Sequence, residues 1–127
     1  MIGSRVVEGL PALTLASGAA GGIEATFVPG AGMVGCSLRH RGDELLGQRR
    51  GLRAYVGDRA TMGIPLLYPW ANRVGRRHFA VAGREVTIDP EVTPVRVDAD
   101  GLPMHGLLSA ATGWRVERHE ALADGAV

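Results

Sequence analysis

Asn72 and Arg73 stand directly behind an aromatic-proline corner in GIPLLYPWANRVGRR, residues 63–77. An arginine offers several N–H donors in a fixed fork and does not lose its charge, so it suits holding hydroxyls or a carboxylate. A neighbouring asparagine can orient that fork. The plainer reading of the pair is a solvated arginine after a turn-forming asparagine. His105 lies between Pro103 and Gly106 in DGLPMHG, residues 100–106. A loop histidine held by a stiff backbone can donate to an oxygen or exchange a proton near neutral pH, and its plainer reading is a locally bonded surface group. His40, His78 and His119 fall in strand-like contexts and read as structural, and four histidines so scattered do not make a metal site. Cys36 sits inside the apolar stripe Val34/Cys36/Leu38, which marks it as core packing rather than a nucleophile.

The rest of the chemistry is bounded by what is missing. There is no phosphate-binding glycine loop followed by lysine, no HExxH, no CxxC and no GxSxG. All 14 basic residues are arginine, so Schiff-base chemistry and a lysine-dependent nucleotide site are excluded. With 13 acidic residues the net charge is +1, which supplies no broad positive field for nucleic acid or an anionic membrane. A single cysteine cannot close an internal disulfide and fits a reducing compartment. No signal-peptide pattern opens the sequence and no apolar run approaches a membrane span, so the expected location is cytoplasmic.

These residues need a scaffold, and 127 residues provide at most one ordinary core, able to bury roughly two-thirds of the unfolded surface. Nineteen glycines and seven prolines make long helices improbable, so many short strands joined by turns are expected. Strands are read at Arg5–Glu8 and Leu13–Ala16 around Gly9-Leu10-Pro11. A further one is read at 22–28, with Ile23, Ala25 and Phe27 on one face and Glu24 and Thr26 on the other. Residues 33–40 and Glu44-Leu45-Leu46 read as a hairpin about Arg41-Gly42-Asp43. Residues 48–59 read as a polar surface excursion, and 63–70, the densest apolar run, as a buried or semi-buried extended segment. Short strands are expected at 77–82 and 85–88, around Val95 and Val97, and at 114–118, with DGLPMHG as a loop. The total is about eight to ten strands, and 121–127 reads as a frayed tail or a cut end.

Taken in order, MVGCSLRHRGDELL, GIPLLYPWANRVGRRHFAVAG and DGLPMHGLL followed by Trp114 resemble the N-terminal part of the aldose 1-epimerase (galactose mutarotase) superfamily, over nearly the whole chain from about Gly21 to Glu120. The resemblance implies an all-β fold, part of a large antiparallel β-sandwich whose concave face binds a sugar. It also implies that residues 1–127 are the first part of a domain more than twice as long. The implied activity is interconversion of the α and β anomers of an aldose, with no cofactor or metal. A glutamate takes the C1 hydroxyl proton, a histidine protonates the ring oxygen, and the opened ring recloses on the other face. On this pattern Arg73 holds sugar hydroxyls, Asn72 supports it, and His105 is the first of two active-site histidines, placed near the ring oxygen. The principal acid and the base come later than this sequence reaches. Glu117, Glu120 and His119 do not match their positions.

Leu107-Leu108 follows His-Gly where many galactose-preferring relatives have another glycine, a departure shared with divergent bacterial members. Within the family a hexose-phosphate epimerase is the runner-up, with Arg49, Arg50, Arg53, Arg76 and Arg77 as phosphate contacts against the simpler reading of a solvated charged face. The expected partner is a monosaccharide or a sugar phosphate, with no nucleic acid and no membrane. Two further readings stand beside the enzyme: a carbohydrate-binding or structural β-domain without turnover, and a truncated frame whose uncovered sandwich edges self-associate.

Overall fold

The computed structural model describes residues 1–18, 22–122 and 125–126, and these are all-β apart from one short helix and a single 3-10 turn. Among the described residues eleven strands form, against the eight to ten expected, because five of them are only two residues long. Two compact units are present: Met1–Leu66 with Ala110–Val127, and Leu67–Ser109. Among the described residues no helix is long and apolar enough to cross a membrane.

The first unit holds a five-stranded antiparallel sheet in sequential order, β1 (Ile2–Val7), β2 (Leu10–Ala16), β3 (Ile23–Val28), β4 (Val34–His40) and β5 (Asp43–Glu44). The first turn is tighter than the sequence reading had it. Val7 pairs with Leu10 across Glu8-Gly9, and Leu10 and Pro11 belong to the strand. Glu8-Gly9 and Arg41-Gly42 are two-residue loops with both φ angles positive, the backbone that matches strand twist, and glycine takes the second position of each.

The faces of β3 are the reverse of the expected ones. Thr26 and Val28 are fully buried while Ile23 is half exposed, because Val28 shares the period-two set of Thr26 and its burial against Val34 fixes the register. Thr26 is tolerated inside because its hydroxyl lies 3.4 Å from that of Thr14 on the neighbouring strand. The stripe through β4 is also interrupted. A bulge leaves Cys36 without an opposed residue, so Val34 lies opposite Val28 but Leu38 lies opposite Ala25 on the other face.

The core of this unit gathers Ala12, Val28, Ala31, Val34, Cys36, Leu52, Tyr55 and Met62. Leu52 and Tyr55 come from the stretch expected to be a polar excursion, and this is a correction. Gly51–Gly57 is a helix, α1, whose i, i+3 pair faces the sheet. Seven residues are too few to display a helical period in sequence, and the capping group is remote: Glu8 accepts the Leu52 and Arg53 N–H groups at 3.0 and 3.3 Å. On the opposite face Leu13, Leu15 and Phe27 line a groove of about 230 Å³ with Met33, Val116, Arg118 and His119.

Residues 114–118, expected to be a strand, form no ladder, since β2 is already paired on both edges. His119 instead donates from Nε2 to the Thr14 carbonyl at 3.2 Å. Beyond it, Ala121–Leu122 (β10) pairs with Gly125–Ala126 (β11). Residues 123, 124 and 127 of the expected tail, and Gly21 at the start of the resemblance, lie outside the described residues.

The second unit contains two hairpin-like pairs, β6 (His78–Val81) with β7 (Arg84–Thr87), and β8 (Arg96–Val97) with β9 (Pro103–Met104). DGLPMHG is therefore not wholly a loop, since Pro103 and Met104 are ladder residues. Ile88, Val95 and Pro103 are its buried apolar residues. The apolar run 63–70 is extended but less buried than its composition suggests, with Ile64, Leu66 and Tyr68 exposed.

Candidate functional site

The two segments singled out by their chemistry lie side by side in the second unit. Leu107 N–H donates to Tyr68 O at 2.7 Å, His105 N–H to Asn72 O at 2.7 Å and Val74 N–H to Pro103 O at 3.0 Å, with Arg73 bridged to Met104. Asn72 and His105 both adopt left-handed backbone, at φ 54° and 67°. Two such residues on opposed rungs remove the strict alternation that would send the side chains of successive rungs to opposite faces. Gly106 follows for a steric reason: at φ 70°, a Cβ there would run into the Tyr68 backbone. The Asn-Arg and His-Gly pairs are thus one local construction.

Arg73 is half exposed, and its Nη1 lies 3.0 Å from Oδ2 of Asp98, whose side chain is only 8% exposed. Sequence reasoning missed Asp98. Its other oxygen, Oδ1, accepts the N–H groups of Asp100 and Leu102, both at 2.9 Å, closing the turn 98–102 that delivers the chain into β9. The Leu102 amide is the strongest influence on its carboxyl, and with Asp100 and Arg73 it outweighs burial and holds Asp98 below the usual carboxylate range. The signal that could have found it is an aspartate opening DADG, a turn in which a side-chain oxygen caps the following amides. Arg77 clamps the same turn, its Nε and Nη2 both donating to Gly101 O at 3.0 and 2.7 Å.

His105 is partly buried, and its Nδ1 is enclosed without a hydrogen-bond partner among the described residues. Burial, assisted by the positive charge of Arg96, lowers its pKa from the ordinary 6.5. The ring is neutral at pH 7, with one nitrogen able to donate and the other to accept. Trp70 Nε1, on the facing segment, is likewise buried without a partner. The two paired segments thus carry a half-exposed guanidinium and a neutral, partly buried imidazole, groups whose N–H donors suit hydroxyl and ether oxygens.

The other candidates have local roles. Cys36 is buried, and burial pushes its thiol up from 9.0, the opposite of what a nucleophile needs. His78 contacts Thr87 Oγ1 and Glu85 Oε2, both at 2.9 Å, across its own hairpin. His40 closes the β4–β5 turn opposite Asp43. Glu117 and Glu120 make exposed ion pairs with Arg115 and Arg118. Of the arginines considered for phosphate, Arg49, Arg50 and Arg53 belong to the first unit and Arg76 and Arg77 to the second. Arg50 is paired with Asp58 at 2.6 Å. Among the described residues no three histidine, cysteine or carboxylate side chains converge as metal ligands.

No family model matches this chain, and no curated protein matches it.

Proposed function

We propose that the surface carrying Asn72, Arg73 and His105 binds a sugar, as part of an aldose 1-epimerase-like protein built on a larger β-sandwich. The observation that carries this reading is the pairing of the two motif segments, which sets Asn72 opposite His105 and Arg73 opposite Met104 on the next rung. Arg73 supplies N–H donors to ring hydroxyls, and the neutral imidazole of His105 addresses the ring oxygen. The five-stranded sheet, apolar on both faces, supports membership of a layered sandwich.

One feature favours binding without turnover for this chain. Oδ1 of Asp98 accepts two amides, and Oδ2, buried and without a hydrogen bond among the described residues, sits 3.0 Å from the Arg73 guanidinium, whose charge keeps the carboxylate ionised and a poor base for the C1 proton. Titration of the 127-residue chain with glucose and galactose, followed by NMR, is expected to show binding that Arg73→Ala and His105→Ala each weaken about ten-fold, the loss of one or two good hydrogen bonds. Polarimetry on the same samples is expected to show no faster mutarotation than buffer. Binding untouched by both substitutions would remove this site, and a rate far above buffer would make the chain an enzyme by itself.

A further inference from the structure

We propose that Asp98 is a specificity-determining positioning residue: its carboxylate fixes the direction of the Arg73 guanidinium and offsets its charge, so that the site favours neutral polyhydroxy ligands over anionic ones. The inference rests on the sugar-binding reading above and says which sugars that site admits. Three observations carry it. The carboxylate is nearly buried whereas the guanidinium is half exposed, so the anchor is inside and the donors reach outward. The anchor is itself immobilised, since Oδ1 accepts two turn amides, Asp98 N–H bonds Leu102 O, Gly101 N–H bonds Asp98 O, and Arg77 grips Gly101 O with two donors. Residues 67–109 carry five arginines and five carboxylates, leaving no net positive charge in the unit to draw a phosphate. An arginine used for phosphate works best with its fork free and its charge unspent. Arg73 has one arm given to Asp98, while Arg77 gives two donors to a backbone carbonyl.

The test compares glucose with glucose 6-phosphate on the full chain, read by NMR titration at fixed ionic strength, for the native protein, Asp98→Asn and Asp98→Glu. Asn keeps an oxygen for the turn amides and removes the charge. The ratio of the two dissociation constants is expected to move toward the phosphate by about three- to five-fold in Asp98→Asn, the effect of one part-exposed ion pair, and to stay within about two-fold of native in Asp98→Glu, a change smaller than RT. Should Asp98→Asn fail to fold by circular dichroism, Asp98→Ser, whose hydroxyl also caps such turns, gives the same comparison. Parallel weakening of both ligands, or an unchanged ratio, would show a purely structural role and overturn the proposal while leaving the sugar site standing. Binding of neither ligand to the native chain would overturn both.

Discussion

At Arg73, Asp98 and His105, the physical question is what each group does with its charge. Arg73 is always protonated and finds a fixed counter-charge 3.0 Å away, so its remaining capacity is directional hydrogen bonding. His105 is held neutral by burial and by the nearby Arg96 charge. Its ring carbons and nitrogens, followed by NMR, are expected to titrate with a midpoint below 6.5, and a midpoint at or above that value would mean the imidazole is solvated or paired with a carboxylate. A bound neutral sugar accepting from the ring would leave the midpoint low, whereas an anionic ligand would raise it. Arg73 and His105 were legible in the sequence because each belongs to a dense, ordered motif. Asp98 was not, because an aspartate in a glycine turn is ordinary, and only the fold shows that its second oxygen reaches an arginine 25 positions earlier.

Elements here are short, and their ends carry much of their stability. Helix α1 has seven residues, no side-chain cap of its own and no acidic residue in its first turn, so Glu8 supplies the acceptor and the negative charge that its N-terminus lacks. Glu8→Ala is expected to cost about 1 kcal/mol in urea unfolding, and Glu8→Gln, which keeps one of the two acceptor oxygens and loses the charge, a smaller amount. Equal losses would show that the cap needs both carboxylate oxygens or their charge, and no loss would place the helix's stability in Leu52 and Tyr55 alone. The same shortness explains what the sequence could and could not reveal. Turns at Gly9, Gly42 and Gly83 were readable because glycine marks positive φ. Helix α1 was hidden because its cap lies 44 residues upstream. The face of β3 was misread because Thr26 counts as polar, although a neighbouring threonine satisfies it. The 114–118 stretch alternates as a strand does, but the strand its end meets, β2, is already bonded on both sides.

For the whole molecule, the pH dependence of stability follows from four groups whose shifts all restrict it to a neutral window. Burial, then Arg96, depresses His105, so below 6.5 the unfolded chain takes up a proton that the folded chain resists, and stability begins to fall. Glu44 loses some ground to burial, but the Ser37 hydroxyl, the Leu38 and Leu46 amides and Arg39 prevail and bring its pKa from 4.5 to about 2. Its contribution is full above 4.5 and disappears as the pH falls toward 2. Asp98, also lowered, acts in the same direction over the same acid range. Cys36 works at the other end: burial raises its thiol, so above 9.0 the unfolded chain ionises first and stability falls again. Thermal melts from pH 2 to 10 are expected to show a plateau bounded by a shallow decline below 6.5, a steeper one below 4.5 and a third above 9.0. Glu44→Gln should flatten the steep acid limb, and Cys36→Ser should abolish the alkaline one. A melting temperature that rises on acidification from 6.5 to 5 would contradict the neutral, enclosed imidazole on which the proposed sugar site depends.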